Sequence, residues 1–337
     1  MMRWVSYVLA VLITVLSAAW GALAIGYQCP GGSVSKWVAS LVWCVFVLAL
    51  LVLAWTRRSW LPFAGYALAF LVLMLWWGTL KPSNTRVWSD DVAQLMTGTI
   101  NGNQVTLHNV RNFNWRTDED YDSRWETRNY DLDRLASADL VLSSWGVPAI
   151  AHAMISFGFE DGSFVVFSVE IRKQRGQAFS AVGGFFKAYE QMIIAADEHD
   201  IIRVRTNVRG EDDHLYRLQM STSDMRALFI AYIDAANRLA RKPEFYNSAT
   251  SNCTTLVYRM AKQIEPGLPL DSSLLLTGRL PQYLYRIGAL DKQVPLDVLT
   301  EQGHITSRAL ASKPDEDFSR AIRAPIEHGS GGVSSPR

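Results

Sequence analysis

Three long apolar runs fill the first 80 residues and limit what the rest of the chain can be. They fall at residues 4–25, 36–55 and 60–80. An α-helix rises 1.5 Å per residue, and roughly 20 apolar residues cross the ~30 Å hydrocarbon core of a bilayer. Each run therefore reads as a transmembrane helix. Trp4, Trp20, Trp37, Trp55, Trp60, Trp76 and Trp77 gather near the ends of the runs, as aromatics do at membrane interfaces. The first run has the length of a signal sequence, but no small-residue cleavage site follows it, and two further spans favour its retention.

The basic residues give an orientation. Arg3 precedes the first run, Arg57 and Arg58 separate the second from the third, and residues 28–35 carry no charge. Positive charge stays in the cytoplasm, so the amino terminus is expected inside and everything after the third span outside. In a Gram-negative cell this makes an inner-membrane protein with a periplasmic domain. Residues 81–104 read as a linker and domain entry, 105–310 as the domain, and 311–337, rich in Pro, Ser and Gly, as a flexible tail.

The whole chain has 337 residues and a net charge of +1. Without a basic stripe interleaved with aromatics, a nucleic-acid partner is not expected. Its three cysteines, Cys29, Cys44 and Cys253, form no even-numbered disulfide framework. No CxxC pair or HExxH is present, so neither a metal site nor a cofactor is expected. The acidic run Asp118–Asp122 has no turn glycine for a Ca²⁺ loop and reads as a solvated face.

The domain reads as α+β. Val105–Val110, Asp139–Ser143, Ile150–Phe159 and Phe164–Arg172 have strand character, the last two joined as a hairpin through a turn at Gly162. Ile201–Asn207 and His214–Met220 also read as strands. Residues 180–199, 223–239 and 281–290 carry helical spacing.

The chemistry centres on Cys253. Polar turn-formers from Asn247 to Asn252 lead into it, and Leu256, Val257, Met260, Ala261 and Ile264 then recur at helical spacing. Ser251 or Asn252 suits the N-cap, so the thiol sits at a helix start. There the dipole favours thiolate over thiol, and first-turn N–H groups face a developing oxyanion. A lone cysteine is otherwise commonly a buried structural residue.

Such a nucleophile needs a base. His152 is the best placed, in a strand-like run with small neighbours, although a histidine in an apolar strand is often only a satisfied core residue. His199, within Asp197–Asp200, reads as part of a surface salt-bridge cluster. Glu170 shares its strand side with Ser168 and Arg172. A hairpin of suitable register brings it to His152 as the orienting carboxylate; a surface ion pair with Arg172 is the competing account. Asn252 and Tyr246 are candidate oxyanion donors, Asn252 also being a simple cap. Arg203, Arg205 and Arg209 alternate along the strand read at 201–207, as a candidate anion site or a solvated face.

These residues also carry a family resemblance. The stretch Trp145 to Phe159 with His152, then Ser168-Val-Glu-Ile-Arg172, Arg205-Thr-Asn207, Phe245-Tyr-Asn247 and Asn252-Cys-Thr-Thr255 together resemble the Lnb N-terminal periplasmic domain family over roughly residues 105–290. The resemblance implies a circularly permuted papain-like (NlpC/P60-type) fold, an antiparallel sheet with a central Cys-bearing helix, and His before Cys in the chain. Asn252-Cys253 is similar to the Asn-Cys of the lecithin:retinol acyltransferase group, whose following Glu-His is Thr254-Thr255 here. Family members are associated with N-acylation of bacterial lipoproteins. The first expectation is therefore a membrane-anchored thiol acyltransferase, with phospholipid as donor and a lipoprotein amine as acceptor. The alternatives are a cysteine amidase acting on cell-wall peptide or protein, and a non-catalytic envelope assembly protein.

Overall fold

A computed structural model describes residues 2–313 and 316–325. The chain forms two compact units. One holds the chain up to Arg86 together with Gly176–Glu190 and Glu244–Ser248; the other holds Val87–Arg175, Gln191–Pro243 and the chain from Ala249 onward.

The first unit contains the apolar helices α1 (Met2–Gln28), α2 (Ser33–Arg57) and α3 (Leu61–Thr79). All three are long and apolar enough to cross a membrane. Leu12, Leu16, Leu41, Val45, Leu71 and Leu75 point outward, as lipid-facing residues must. Between helices the contacts are polar and close. Trp43 Nε1 donates to the Ala18 carbonyl at 3.0 Å, Ser40 Oγ to that of Ala22 at 3.0 Å, and Ser17 and Tyr66 share a 2.6 Å hydroxyl contact. Gly21 permits this approach: a Cβ there would stand 2.8 Å from Leu73 Cδ2 and 3.0 Å from the Trp43 ring. Small residues serve this purpose in membranes, where packing and hydrogen bonds hold helices together.

The second unit is built on a sheet. Its strands are β1 (Thr97–Asn101), β2 (Gln104–Arg111), the two-residue pair β3 (Asn114–Trp115) and β4 (Tyr121–Asp122), β5 (Trp125–Asp131), β6 (Leu135–Ser144), β7 (Ala151–Phe159), β8 (Phe164–Arg172), β9 (Glu190–Ala196) and, after α4 (Glu198–Arg203), β10 (Asp212–Arg217). The main sheet runs β1-β2-β9-β8-β7-β6-β10, with β5 also paired to β2. It is mixed instead of wholly antiparallel, because β2 meets β9 in parallel at Arg111↔Ala196. The remaining helices are α5 (Thr222–Arg241), α6 (Cys253–Ile264), α7 (Leu280–Ile287), α8 (Leu296–Gly303), α9 (Thr306–Ala311) and α10 (Phe318–Ile322).

Period-two alternation divides the core in two. Ala153, Ile155 and Phe157 of β7 and Val165 and Phe167 of β8 pack with Leu228, Phe229 and Tyr232 of α5 and Leu256 and Met260 of α6. Phe229, fully buried, stands 5.1 Å from both the Phe157 and Phe167 rings in edge-on geometry. On the other face Met154, Val166, Met192 and Ile194 meet Ile201 and Ile202 of α4, Ala309 of α9, and Phe318 and Ile322 of α10.

The structure corrects three readings of the sequence. Residues 180–199 are not a helix: a short turn at Gly183–Phe185 precedes β9, buried along its whole length. A central strand covered on both faces has no polar side, so its continuous apolar run matched a helical stripe by coincidence. Residues 201–207 are not a strand. Asp197 caps α4 by accepting the His199 N–H, and the helix continues into a π turn at Val204–Val208. Within 311–337, the described part holds α10, whose Phe318 and Ile322 are core residues; residues 326–337 lie outside the described residues.

Arg323 follows α10 and clamps this end of the chain. Its guanidinium bonds both Glu198 oxygens at 2.7 Å and Asp139 Oδ2 at 2.8 Å, and both carboxylates are fully buried. Removing one partner of a buried pair leaves charge uncompensated and typically costs about 3–5 kcal/mol. Arg323→Ala is therefore expected to lower the unfolding midpoint of the full-length protein by several degrees, measured by thermal or denaturant unfolding in detergent. An unchanged midpoint would mean that the clamp carries no stability.

Candidate active site

Local structure fixes Cys253 as the first residue of α6. Asn252 caps the helix: its side-chain oxygen accepts the N–H groups of Thr254 at 3.0 Å and Thr255 at 2.8 Å, while the Thr255 hydroxyl accepts the Asn252 N–H at 2.9 Å. This reciprocal box pins the first turn. One residue earlier, Ser251 Oγ donates to Gln191 Oε1 at 2.9 Å and its carbonyl accepts from Gln191 Nε2 at 3.3 Å. Buried Gln191, on β9, thus fixes the approach to the thiol. Nothing in the sequence marked it, because it lies in the stretch read as a helix.

The hairpin delivers His152. The β7–β8 register includes Phe157↔Val165 and Met154↔Ser168. Continued two residues, it sets His152 opposite Glu170. His152 Nε2 lies 2.7 Å from Ser168 Oγ and 3.0 Å from Glu170 Oε1, and Ser168 Oγ donates to the same Glu170 oxygen at 2.7 Å. With Nε2 so engaged, Nδ1 is left for the thiol. His152 and Cys253 lie near enough for each to shift the other's protonation, and the Ala153 N–H acts on the same sulfur. The thiol is only 7% exposed.

Behind Glu170 lies a buried chain of charges. Arg205 Nη2 donates to Glu170 Oε1 at 3.1 Å and Nη1 to Glu211 Oε2 at 3.0 Å. Ser143, one strand over on β6, bonds both Glu211 and Asp213. Burial pushes Asp213 up to about 7, against Ser143 and Arg205, and its Oδ2 has no hydrogen-bond partner among the described residues. Arg172, the rival partner for Glu170, instead donates to the Val92 and Ala93 carbonyls and lies 4.4 Å over the Trp88 ring.

The electrostatics follow from these contacts. Burial alone would lower His152, but the Glu170 carboxylate outweighs it and brings the imidazole up to about 9. Burial would raise Glu170; His152, Arg205 and Ser168 hold it well below the usual carboxylate range. Burial would likewise raise Cys253, yet the His152 hydrogen bond and charge pull the thiol below its ordinary value. Both shifts run in the direction that favours thiolate beside imidazolium, the direction that activates such a nucleophile.

The structure thus gathers Cys253, His152 and Glu170, with Asn252 as the cap. The other sequence candidates do other work. Asn252 spends its side-chain oxygen on capping. Tyr246 belongs to the other compact unit, its N–H bonded to the Tyr189 carbonyl at 3.0 Å. The anion-site reading of Arg203 and Arg205 fails because the segment is helical: Arg205 is buried in ion pairs, and Arg203 lies 5.9 Å over the Phe318 ring. Ser168, Glu211, Ser143 and Asp213 escaped the sequence reading, since short polar residues alternating on strands look like a solvated face. So did Tyr232, read only as part of the α5 stripe. Its buried hydroxyl has no hydrogen-bond partner among the described residues, and burial and the Cys253 charge both oppose its ionisation.

An apolar cavity of about 300 Å³ lies along α6. Thr254, Val257 and Ala261 of α6, Ala153 and Ile155 of β7, and Leu228 of α5 line it; Cys253 and His152, the sequence neighbours of Thr254 and Ala153, are not among its lining residues. The strand carrying His152 is braced where it starts. Thr277 Oγ1 accepts the Ala151 N–H at 2.7 Å, and the Gly278 N–H bonds the Ala149 carbonyl at 3.1 Å. A Cβ on Gly278 would stand 1.9 Å from the Pro148 oxygen, so only glycine fits there.

These shifts predict the pH behaviour of the thiol. With Cys29 and Cys44 replaced by alanine, Cys253 is expected to react with iodoacetamide at full rate below the ordinary thiol range near pH 8.5. His152→Ala removes the compensating cation, so the reaction should fade at neutral pH and return only at alkaline pH. Glu170→Gln withdraws the charge that raises His152, and the imidazolium should then be lost well below pH 9. Alkylation rate against pH reads all three; identical profiles would show that the thiol titrates alone.

Searches of curated proteins and of solved structures return no match. A family model described as the Lnb N-terminal periplasmic domain matches residues 121–289, a span that holds His152, Glu170, Gln191, Arg205 and Cys253. The chain belongs to the Lnb N-terminal periplasmic domain family.

Proposed function

We propose that the protein is a membrane-anchored thiol acyltransferase that passes a lipid acyl chain through Cys253 to an amine. The observation that carries this reading is the apolar cavity along the helix that Cys253 opens, lined from Thr254 onward. At the ~30 Å³ that a water molecule occupies, about 300 Å³ accommodates roughly ten groups of methylene size. Each buried methylene contributes about 0.8 kcal/mol. An acyl chain gains from such a space, whereas a polar cell-wall peptide does not.

The chemistry balances in two halves. The Cys253 thiolate attacks the ester carbonyl of a phospholipid. The Cys253 backbone N–H, at the positive end of α6, faces the oxyanion. Collapse breaks the ester C–O bond, and the His152 imidazolium protonates the departing lysolipid oxygen. An amine then attacks the acyl-thioester, His152 takes its proton, and thiolate leaves. A lipoprotein amino terminus suits the role of acceptor, since it lies at the same membrane surface as the donor. Through both halves Glu170 holds the imidazole, and Arg205 holds Glu170.

The same reading extends to architecture and placement. A cysteine opening a helix against a histidine strand and its neighbour, with His before Cys, supports a permuted papain-like arrangement. Basic Arg57 and Arg58 between α2 and α3 support an inner-membrane protein with a cytoplasmic amino terminus and a periplasmic domain.

Full-length protein in phospholipid nanodiscs is expected to carry one acyl chain on Cys253, detected by mass spectrometry and absent from Cys253→Ala. His152→Ala should slow its formation by about 10²–10⁴-fold, the usual contribution of a positioned base. Ala261→Trp fills the cavity and should shift the accepted chain toward shorter lengths. Absence of any adduct, with release of peptide from cell wall instead, would replace this reading with an amidase.

A further inference from the structure

We propose that residues 178–187 form a lipid-embedded element additional to the three spanning helices, seated in the headgroup–acyl boundary beside the carboxyl ends of α1 and α3. The inference is independent of the chemistry at Cys253.

The first observation is where the segment is tied. α1 has 27 residues, about 40 Å of helix, against a hydrocarbon core of about 30 Å, so its last turns reach the interface. The segment is pinned to those turns. Tyr27 OH lies 2.7 Å from Ser180 Oγ, and Gln28 Nε2 donates to the carbonyls of Phe186 at 2.8 Å and Lys187 at 2.6 Å. The Phe186 ring stacks on Tyr27 at 5.6 Å and lies 6.4 Å from Trp77 near the end of α3. Lys187 Nζ donates to the Trp77 carbonyl at 2.8 Å and stands 4.6 Å over its indole. An aromatic belt closed by a lysine whose stem lies along it is the chemistry of a membrane interface.

The second observation is what the segment shows to its surroundings. Phe186 turns inward and is buried, but Phe179, Val182 and Phe185 are 61%, 46% and 50% exposed. The backbone between them is not a loose loop. Phe185 N–H bonds the Val182 carbonyl at 3.0 Å, Phe186 N–H that of Gly183 at 2.9 Å, and the Ser180 N–H meets Tyr189 OH at 2.6 Å. Three large apolar side chains are thus held outward by a fixed scaffold. In water this costs roughly 25 cal/mol for every Å² left wet. At the level of the helix ends the same surface meets lipid, so the bilayer is the occupant that these contacts select.

Glu244–Ser248, in the same unit, extends the element. Tyr246 N–H bonds the Tyr189 carbonyl at 3.0 Å and Ser248 N–H that of Gly184 at 3.3 Å. A Cβ on Gly184 would stand 2.2 Å from Ser248 Oγ and 3.5 Å from the Tyr246 ring, so the two segments run close together here. Ser248 precedes Cys253 by five residues. The stretch that leads to the nucleophile therefore leaves from the lipid-seated element.

Site-directed spin labelling of the full-length protein tests this. With Cys29, Cys44 and Cys253 replaced by alanine, labels are placed through Phe179→Cys, Val182→Cys and Phe185→Cys, with Leu16→Cys on α1 as lipid reference and Asp161→Cys in the β7–β8 turn as water reference. Power saturation in phosphatidylethanolamine–phosphatidylglycerol nanodiscs compares collision with oxygen and with a nickel chelate. At the three loop positions oxygen access is expected to exceed nickel access severalfold, as at Leu16, and the ratio should invert at Asp161. Loop labels that follow Asp161 would overturn the proposal.

Discussion

A sulfur that is almost wholly shut away from water can hold negative charge only if a cation is held against it. One buried series of polar groups in the second unit meets that requirement. His152 supplies the cation, and burial would take its proton away if Glu170 did not return it. Glu170, half-buried, stays charged because His152 and Arg205 face it. Arg205 in turn stands between Glu170 and Glu211. Each group is expensive to bury alone and tolerable in series, which is why the chain of contacts runs unbroken from sulfur to Asp213. Its far end, a carboxyl pushed up to about 7 with one oxygen unpartnered, is where the compensation runs out.

The scaffold keeps this series fixed by crossing several elements. The cap of α6, strands β6 to β10 and the π turn after α4 each contribute one link. The helical segment at 204–208 matters most among these, since a strand there would have pointed Arg205 and Arg203 to one solvent face. The π turn instead drops Arg205 into the interior, between two carboxylates.

Much of this was readable from local pattern. The three spans, the strands around His152, the amphipathic α5 and the helix opened by Cys253 all announce themselves through periodicity and capping residues. The hairpin turn at Gly162 was legible too, but the register that brings Glu170 to His152 was open until the strands were paired. What local pattern could not give is sidedness imposed from outside. β9 is covered on both faces, so Met192, Ile193 and Ile194 lost the alternation that would have marked a strand. Gln191 vanished with it. Ser143, Ser168, Glu211 and Asp213 have nothing in the sequence to separate them from surface residues; only the packing of α4 and α9 over that face makes them internal. α10 was hidden for the same reason, because its apolar pair gains meaning only against Ile201 and Ile202.

Strand β7 also explains how acid–base chemistry and an apolar cavity coexist so closely. Successive side chains on a strand point to opposite faces. His152 turns to the side of Met154, where Ser168, Glu170 and Arg205 assemble. Ala153 and Ile155 turn to the other and form one wall of the cavity. The sulfur meets the strand between these two worlds, at the Ala153 N–H, just past the last ladder pair of β7 and β8 at Met154↔Ser168. A helix could not divide its neighbours so sharply, because residues one apart on a helix differ by only about 100°. The strand sets the charged groups on one face and the apolar cavity on the other.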